Sequence, residues 1–326
     1  YTRKCGEIEP SDFGSEQTLC GWLQDTRNLG GIAFIQLRDI SGVIQLTLLK
    51  KKLDEKQFKN WTNINRESVV LVRGIVKENK EAPGGVEMLP DNIELLNEAE
   101  TPLPLGVIDK IDSEIETRLN ARYMDLRKKD IAAHFQIRAA VSGSVHKHLR
   151  REKFLEVQTP KIIASATEGG TSLFEMKYFD RTAYLAQSPQ LYKQILMGGG
   201  LERVYEVGPA FRAEEHNTPR HLNEFISIDI EMSFADDDVV MGVMERLVDS
   251  ASRAVAKEAE ALEILDIKPI ELELPLPRIT YDDAVEMAKG KAKWGEDLSM
   301  EATRAIAEQM NGFYFITKWP LSLKPF

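Results

Sequence analysis

Cysteine is nearly absent from this chain: Cys5 and Cys20 are the only two in 326 residues. Two thiols cannot build a disulfide scaffold or a four-cysteine zinc site. Long apolar runs are missing too. The longest stretches are a handful of residues, against the ~20 needed to span a bilayer, so no membrane partner is expected. No basic-then-apolar leader opens the sequence, and a cytoplasmic location is expected. Nor is there an excess of positive charge: the formal net charge is −10, whereas a general nucleic-acid binder is normally basic. The deficit is uneven. Residues 1–100 carry −3, residues 101–234 are neutral, and residues 235–326 carry −7, so a positive site in the middle of the chain stays open. Gly198-Gly199-Gly200 lacks the lysine and spacing of a Walker loop and follows no strand; it reads as the end of a helix over 190–197. His134, His146 and His148 have no partners at metal-ligand spacing and read as surface or helix-packing residues.

What the chain does contain is patterned. Five strands are predicted over residues 18–25, 31–39, 42–49, 69–77 and 86–96, with a helix near 54–65 and turns at Gly30-Gly31 and Ser41-Gly42. That order is the order of an OB-fold barrel. In the second strand Ala33, Ile35 and Leu37 form an apolar face; Ile32, Phe34, Gln36 and Arg38 lie opposite. In the third, Ile44, Leu46 and Leu48 oppose Val43, Gln45 and Thr47. An aromatic ring beside amide side chains suits the reading of single-stranded bases, and it suits equally a small second core under Phe34. Residues 99–105 (AETPLPL) form a proline-stiffened connector, a charged stretch runs over 114–129, and a helix is expected from about 131 to 152. The domains expected are 1–98, a hinge over 99–130, and 131–326.

The densest pattern lies in residues 201–234. From Phe225 onward Ile226, Ile228, Ile230, Met232 and Phe234 alternate with Ser227, Asp229, Glu231 and Ser233. Residues 204–214 read as the partner strand, with Glu206, Arg212 and Glu214 on one face. A charged loop over 215–221 joins the two in a long antiparallel hairpin. Its polar face is either the solvated outside of a sandwich or a site for a substrate carrying both phosphate and ammonium groups.

These residues resemble a known family. Phe211-Arg212-Ala213-Glu214, then Arg220-His221-Leu222-Asn223-Glu224-Phe225 and Asp229-Ile230-Glu231, are similar to motif 2 of the class II aminoacyl-tRNA synthetases. Phe154–Pro160 (FLEVQTP) resembles motif 1, the dimer-forming helix-strand element ending in proline. Gln187–Gln194 (QSPQLYKQ) resembles the amino-acid pocket of the aspartate-specific, archaeal-type members, and the barrel with residues 30–39 (GGIAFIQLRD) completes the likeness. The fold class implied is α+β: an N-terminal five-stranded OB-fold β-barrel plus a class II catalytic domain on an antiparallel sheet flanked by helices. Motif 3 and the family's acidic magnesium-binding strand are not found. Because the chain stops at Lys324-Pro325-Phe326, directly after a predicted strand, both are expected beyond Phe326.

The resemblance implies an aspartate–tRNA ligase whose partners are ATP, L-aspartate and tRNA(Asp), acting as a homodimer with Mg2+. Arg212 would bridge the aspartate α-carboxylate and the ATP α-phosphate as the catalytic residue. Glu168, Ser188, Gln190, Lys193 and Asp229 would line the aspartate pocket, with Lys193 on the side-chain carboxylate and Asp229 on the ammonium. Glu214, Arg220, His221, Leu222 and Phe225 would hold ATP, Phe225 by stacking on adenine. Phe34 would stack on the central anticodon base, with Gln45 reading its edge and Arg27, Gln36 and Glu87 nearby. Gln24 and Pro83 would restrict charging to tRNA(Asp) over tRNA(Asn). Pro160 would lie at the dimer interface. An ammonium at position 193 favours aspartate over the neutral amide of asparagine. Three other activities fit less well: an asparagine–tRNA ligase, a non-catalytic tRNA-binding paralogue, and an amide-forming synthetase, which has no need of an anticodon-reading barrel.

Overall fold

The computed structural model describes residues 1–108, 113–165, 173–213, 222–310 and 312–323. The chain divides into two compact units, Tyr1–Ala132 and Ala133–Phe326.

In the first unit, β1 (Glu16–Asn28), β2 (Ile32–Arg38), β3 (Val43–Leu49), β4 (Val69–Glu78) and β5 (Val86–Asn97) close into a barrel in the order β1-β2-β3-β5-β4, with α1 (Glu55–Thr62) between β3 and β4. The alternation read from the sequence is the cause. Ala33, Ile35, Leu37, Ile44, Leu46 and Leu48 are all at most 1% exposed, and burying each large side chain is worth about 1.5–3 kcal/mol. Helix α1 starts at Asp54, whose carboxylate accepts the Gln57 amide, and sends Phe58 and Trp61 into the same core. Gly21 permits a tight crossing: a Cβ there would lie 2.4 Å from the Arg38 carbonyl oxygen. The β1–β2 register then slips between Leu23 and Asp25, which leaves Gln24 in a bulge that re-aims its side chain. The segment after the barrel forms α2 (Ile115–Asn120) and α3 (Arg122–Asp125). Fully buried Asp125 is held there by Arg118 (3.0 Å), Arg122 and Lys128 (3.7 Å).

Helix α4 (Lys129–Arg151), whose residues from Ala133 belong to the second unit, precedes β6 (Leu155–Glu156), β7 (Ile162–Ile163), β8 (Glu175–Tyr178), β9 (Arg181–Leu185), α5 (Gln190–Gly198), β10 (Arg203–Phe211) and β11 (Glu224–Met232). Then follow α6 (Asp237–Val255), α7 (Ala259–Ile264), β12 (Arg278–Thr280), α8 (Tyr281–Met287), α9 (Met300–Ala307) and β13 (Phe315–Thr317). The central hairpin β10–β11 is antiparallel, and β6 joins β10 in parallel, so the described sheet β11-β10-β6 is mixed. Strands β7-β9-β8 form a second sheet, and β12 pairs with β13 in parallel. Val145 and Leu149 of α4, Phe154, Tyr205 of β10, and Val243 and Leu247 of α6 make the core against which Ile230 and Met232 pack.

Two expectations for the hairpin change. The first strand ends at Phe211 rather than at Glu214. Of the two readings of its polar face, the solvated one gives way, because the acids there are covered. Asp229 and Glu231 are 18% and 26% exposed, whereas Ile226 and Ile228 are 49% and 46% exposed. The reason is helix placement: the α4–α6 core reaches Ile230 and Met232 on the apolar face, while α5 lies over the polar one. The glycine run ends α5 as expected, with Gly200 in the left-handed region at φ +88. His148 is 2% exposed, so of the two readings for the α4 histidines it takes the packed one.

Candidate active site and nucleic-acid groove

On β10 and β11 the register sets Glu206 opposite Asp229 and Val204 opposite Glu231. Directly paired residues share a face and alternate residues return to it, so Glu206, Ser227, Asp229 and Glu231 all look the same way. Helix α5 supplies the counter-charge. Lys193 Nζ stands 3.3 Å from Asp229 Oδ1 and 3.4 Å from Glu231 Oε2, and its side chain is 13% exposed. The Ser227 hydroxyl donates to Asp229 Oδ2 at 2.5 Å and fixes that carboxylate's rotation. Two acids and one ammonium in a half-buried setting form a site that can exchange partners: an amino acid bearing opposite charges can replace each contact in turn.

The helix start places the other pocket residues. Ser188 Oγ accepts the Gln190 amide at 3.2 Å, and the Lys193 amide donates to the Pro189 carbonyl at 2.9 Å. Ser188 thus stands just before the helix, and Gln190 and Lys193, three positions apart, fall on one face of its first turn. The Phe211 amide donates to the Ala186 carbonyl at 3.0 Å, which ties this corner to the end of β10 where Arg212 follows. Arg212 extends the ladder by one bond, its amide donating to the Asn223 carbonyl at 3.0 Å. Its guanidinium carbon lies 5.4 Å from the centre of the Phe225 ring. Arg212 Nε is buried and has no hydrogen-bond partner among the described residues. A desolvated donor without a partner is costly in isolation, and it is well prepared for an anion. Leu222 is 63% exposed. Glu168, Glu214, Arg220 and His221 lie outside the described residues.

Glu206 is 3% exposed and already engaged. It accepts from the Thr159 amide (3.1 Å) and hydroxyl (2.7 Å), and Lys161 Nζ lies 2.7 Å away. It clamps the chain on both sides of exposed Pro160 to β10. Thr159 and Lys161 were not foreseen, because contacts 47 and 45 positions apart leave no local periodicity; Ser227, two residues from Asp229, was placed on the polar face but given no role. Among the described residues no group of three or more His, Cys, Asp or Glu is placed to hold a metal ion, and no step is derived through Mg2+.

The second feature lies on the barrel, where a groove of about 740 Å3 is lined by Arg27, Phe34, Gln36, Gln45, Glu87 and Lys77, among others. Phe34 pairs with Arg27 on one side and Thr47 on the other, and Gln36, Gln45 and Glu87 follow one another across three strands. Gln24 and Pro83 do not line this groove. Gln24 adjoins it through Gln36, donating to Gln36 Oε1 at 2.8 Å, and Pro83 opens an exposed 3-10 turn. Glu87 is the groove's fixed charge, only 3% exposed. It accepts from Thr47 Oγ1 (2.6 Å) and Asn79 Nδ2 (2.8 Å), and Lys77 Nζ lies 2.8 Å away.

Burial alone would push the Glu87 carboxyl up, but the bonds from Lys77, Thr47 and Asn79 outweigh it and hold the group below its ordinary value of 4.5. A depressed carboxylate stabilises the fold above the unfolded value, and that contribution is lost as pH falls through the folded value. Barrel stability is therefore expected to drop as pH falls below 4.5. Glu87→Gln is expected to cost about 1–3 kcal/mol near neutrality and to flatten the acid limb in melting curves; an unchanged limb would remove Glu87 from this account.

Comparison with known proteins gives the frame for both features. Residues 114–326 match the family model described as tRNA synthetases class II (D, K and N), and residues 17–96 match that of the OB-fold nucleic acid binding domain. The chain belongs to the class II (D, K and N) tRNA synthetases. Members of this class use ATP. The chain is 52% identical over 324 residues to the aspartate–tRNA(Asp/Asn) ligase of Archaeoglobus fulgidus, covering 98% of this chain and 75% of that one. It is 47% identical over 323 residues to the aspartate–tRNA(Asp) ligase of Thermoplasma acidophilum, with 98% and 75% covered. Among solved structures it superposes on the asparaginyl-tRNA synthetase of Pyrococcus horikoshii complexed with asparaginyl-adenylate, with a TM-score of 0.89 and 30% identity over 99% of this chain and 76% of that one. For a synthetase of this class, the hairpin and α5 belong to the catalytic domain and the groove to the nucleic-acid-binding barrel.

Proposed function

We propose that this chain carries the amino-acid-activating site and the anticodon-reading barrel of an aspartate–tRNA ligase. In such an enzyme the α-carboxylate of L-aspartate attacks the α-phosphorus of ATP, expelling pyrophosphate and forming aspartyl-adenylate. The 3′-terminal hydroxyl of tRNA(Asp) then takes the aspartyl group, releasing AMP. One observation carries the choice of amino acid: Lys193 stands between Asp229 and Glu231 on a face that also presents Arg212. Aspartate brings two carboxylates and one ammonium. Its side-chain carboxylate takes the Lys193 ammonium, its ammonium takes Asp229, and its α-carboxylate meets Arg212. Asparagine offers Lys193 only an amide, a weaker partner. Ser188 and Gln190, with Glu168, complete the pocket.

No base is required, because the attacking carboxylate is already ionised at neutral pH. The chemistry is in-line displacement at the α-phosphorus of ATP, driven by positioning and by charge stabilisation from Arg212. Phe225 stacks on adenine, and Glu214, Arg220, His221 and Leu222 hold the rest of the nucleotide. Mg2+ accompanies ATP. The chain acts as a homodimer through the Pro160 region, in the cytoplasm.

On the barrel Phe34 stacks on the central anticodon base, while Arg27, Gln36, Gln45 and Glu87 contact the neighbouring bases. Gln24 and Pro83 favour tRNA(Asp) alone. A second reading, charging of both tRNA(Asp) and tRNA(Asn), is favoured by the Archaeoglobus relative, an aspartate–tRNA(Asp/Asn) ligase. Charging purified tRNA(Asp) and tRNA(Asn) side by side with the gene product that carries this chain separates the two: strong preference for tRNA(Asp) supports restriction, and equal efficiency overturns it. In the same assay Phe34→Ala is expected to lower charging of both tRNAs by ~1–3 kcal/mol in kcat/KM, the worth of one base stack, with aspartate-dependent pyrophosphate exchange intact. Unimpaired charging would remove Phe34 from the interface.

A further inference from the structure

From Gln36 a chain of polar side chains runs along the same face of β2, and the proposed anticodon contacts do not explain it. Gln36, in the groove, accepts from Gln24 Nε2 at 2.8 Å. Gln24 Oε1 in turn accepts from Arg38 at 3.2 Å. Arg38, only 5% exposed, donates twice to Glu67, at 2.8 and 3.0 Å. Glu67 is 6% exposed and also accepts from Arg127 at 2.8 Å, whose guanidinium lies 4.9 Å from the Trp22 ring centre. The network thus begins at a groove residue and ends on a doubly held, buried carboxylate.

Backbone geometry marks Glu67 independently. Its φ is +65, in the left-handed region, where glycine or asparagine is at home and a longer side chain is disfavoured. Its amide is fixed by the Leu23 carbonyl at 2.7 Å, and the Leu23 amide donates to Ser68 at 2.9 Å, so the strained residue is pinned beside the bulge that carries Gln24. A turn alone would be better served by glycine. A carboxylate kept at such a position points to a role for the side chain.

We propose that Arg38 and Glu67 are positioning residues for anticodon reading: through Gln24 they fix the orientation of the Gln36 amide in the groove. The amide of Gln36 has two faces of opposite hydrogen-bonding character, a carbonyl and an NH2. Because Arg38 can only donate, it selects the Gln24 carbonyl. That choice leaves the Gln24 NH2 to meet the Gln36 carbonyl, and the Gln36 NH2 is then the group presented to a base. The buried ion pair thereby sets the polarity of a contact two residues away, so that the groove offers a donor where an unrestrained glutamine would offer either.

This inference rests on the reading of the groove as the anticodon site, and the test separates the two. In the gene product that carries this chain, Gln36→Ala and Glu67→Gln are compared singly and together, measuring kcat and KM for tRNA charging and aspartate-dependent pyrophosphate exchange. Each single change is expected to raise the KM for tRNA by about three- to tenfold, the worth of one hydrogen bond, with pyrophosphate exchange unaltered. The double variant is expected to match Gln36→Ala alone, as residues acting through one contact are not additive. If Gln36→Ala leaves the KM for tRNA unchanged, the groove reading falls. If Gln36→Ala raises it while Glu67→Gln does not, or if their effects add, the relay falls. Should Glu67→Gln fail to fold with Arg38 unpaired, Arg38→Met with Glu67→Leu removes both buried charges together. That pair is expected to restore the melting temperature without restoring the KM, and recovery of both would assign the ion pair to stability alone.

Discussion

Replacing Lys193 by methionine is expected to abolish aspartate-dependent ATP–pyrophosphate exchange. Methionine keeps the length and apolar stem of lysine but removes the ammonium that stands 3.3 Å from Asp229 and 3.4 Å from Glu231. Two consequences combine. The substrate's side-chain carboxylate loses its partner, and the two protein carboxylates, both largely covered, are left facing each other without a counter-ion. Removing one member of a desolvated charge pair costs about 2–5 kcal/mol, or roughly 30- to 5,000-fold. The loss should appear in kcat/KM for aspartate, with ATP affinity retained. Exchange within threefold of the unmodified enzyme (about 0.7 kcal/mol) would show that Lys193 serves the sheet and not the substrate. Raising aspartate concentration distinguishes a binding defect, which saturation recovers, from a collapsed pocket, which it does not.

Arg212→Gln should be comparably severe but should act on the rate. The buried Nε of Arg212 has no hydrogen-bond partner among the described residues, so that donor is open to charge developing at phosphorus. Loss of one such preorganised donor costs on the order of 10²–10³ in kcat. Arg212→Lys should not recover this, since a point-charge ammonium cannot bridge two anionic groups as the planar fork does. A variant whose kcat stays within tenfold would move the assignment elsewhere on the hairpin.

The barrel was legible in the sequence because its information is local. Alternation in Ala33-Ile35-Leu37 and in Ile44-Leu46-Leu48 fixes which face is buried, and the order of strands and helix fixes the topology. Phe34, Gln36 and Gln45 could be placed in one groove for the same reason. The hairpin was legible as a hairpin, but not in what covers it. Periodicity shows two faces of differing polarity and says nothing of which helix lies on which, so the covered polar face could be read as solvated. Glu206 shows the limit most clearly. On the strand it is one more alternating acid; only the fold brings Thr159 and Lys161 to it. Glu67 escaped notice likewise, because a single glutamate in a turn carries no pattern and its positive φ is a property of the folded backbone.

The division of the amino-acid site between two elements has a consequence for descent. The acids Asp229 and Glu231 belong to a strand whose nine-residue ladder with β10 also carries Tyr205 and Ile230 into the core, so neither strand can change pitch or register without loss of packing. Lys193 rides on a nine-residue helix and meets the strand only through its tip. On the proposed reading of Lys193, a change at that one helical position would alter which amino acid is preferred while the sheet is inherited intact. A lineage built this way can diversify its substrates with little risk to foldability, and a scaffold shared at a TM-score of 0.89 with an asparaginyl enzyme only 30% identical in sequence is the kind of kinship such an arrangement leaves behind.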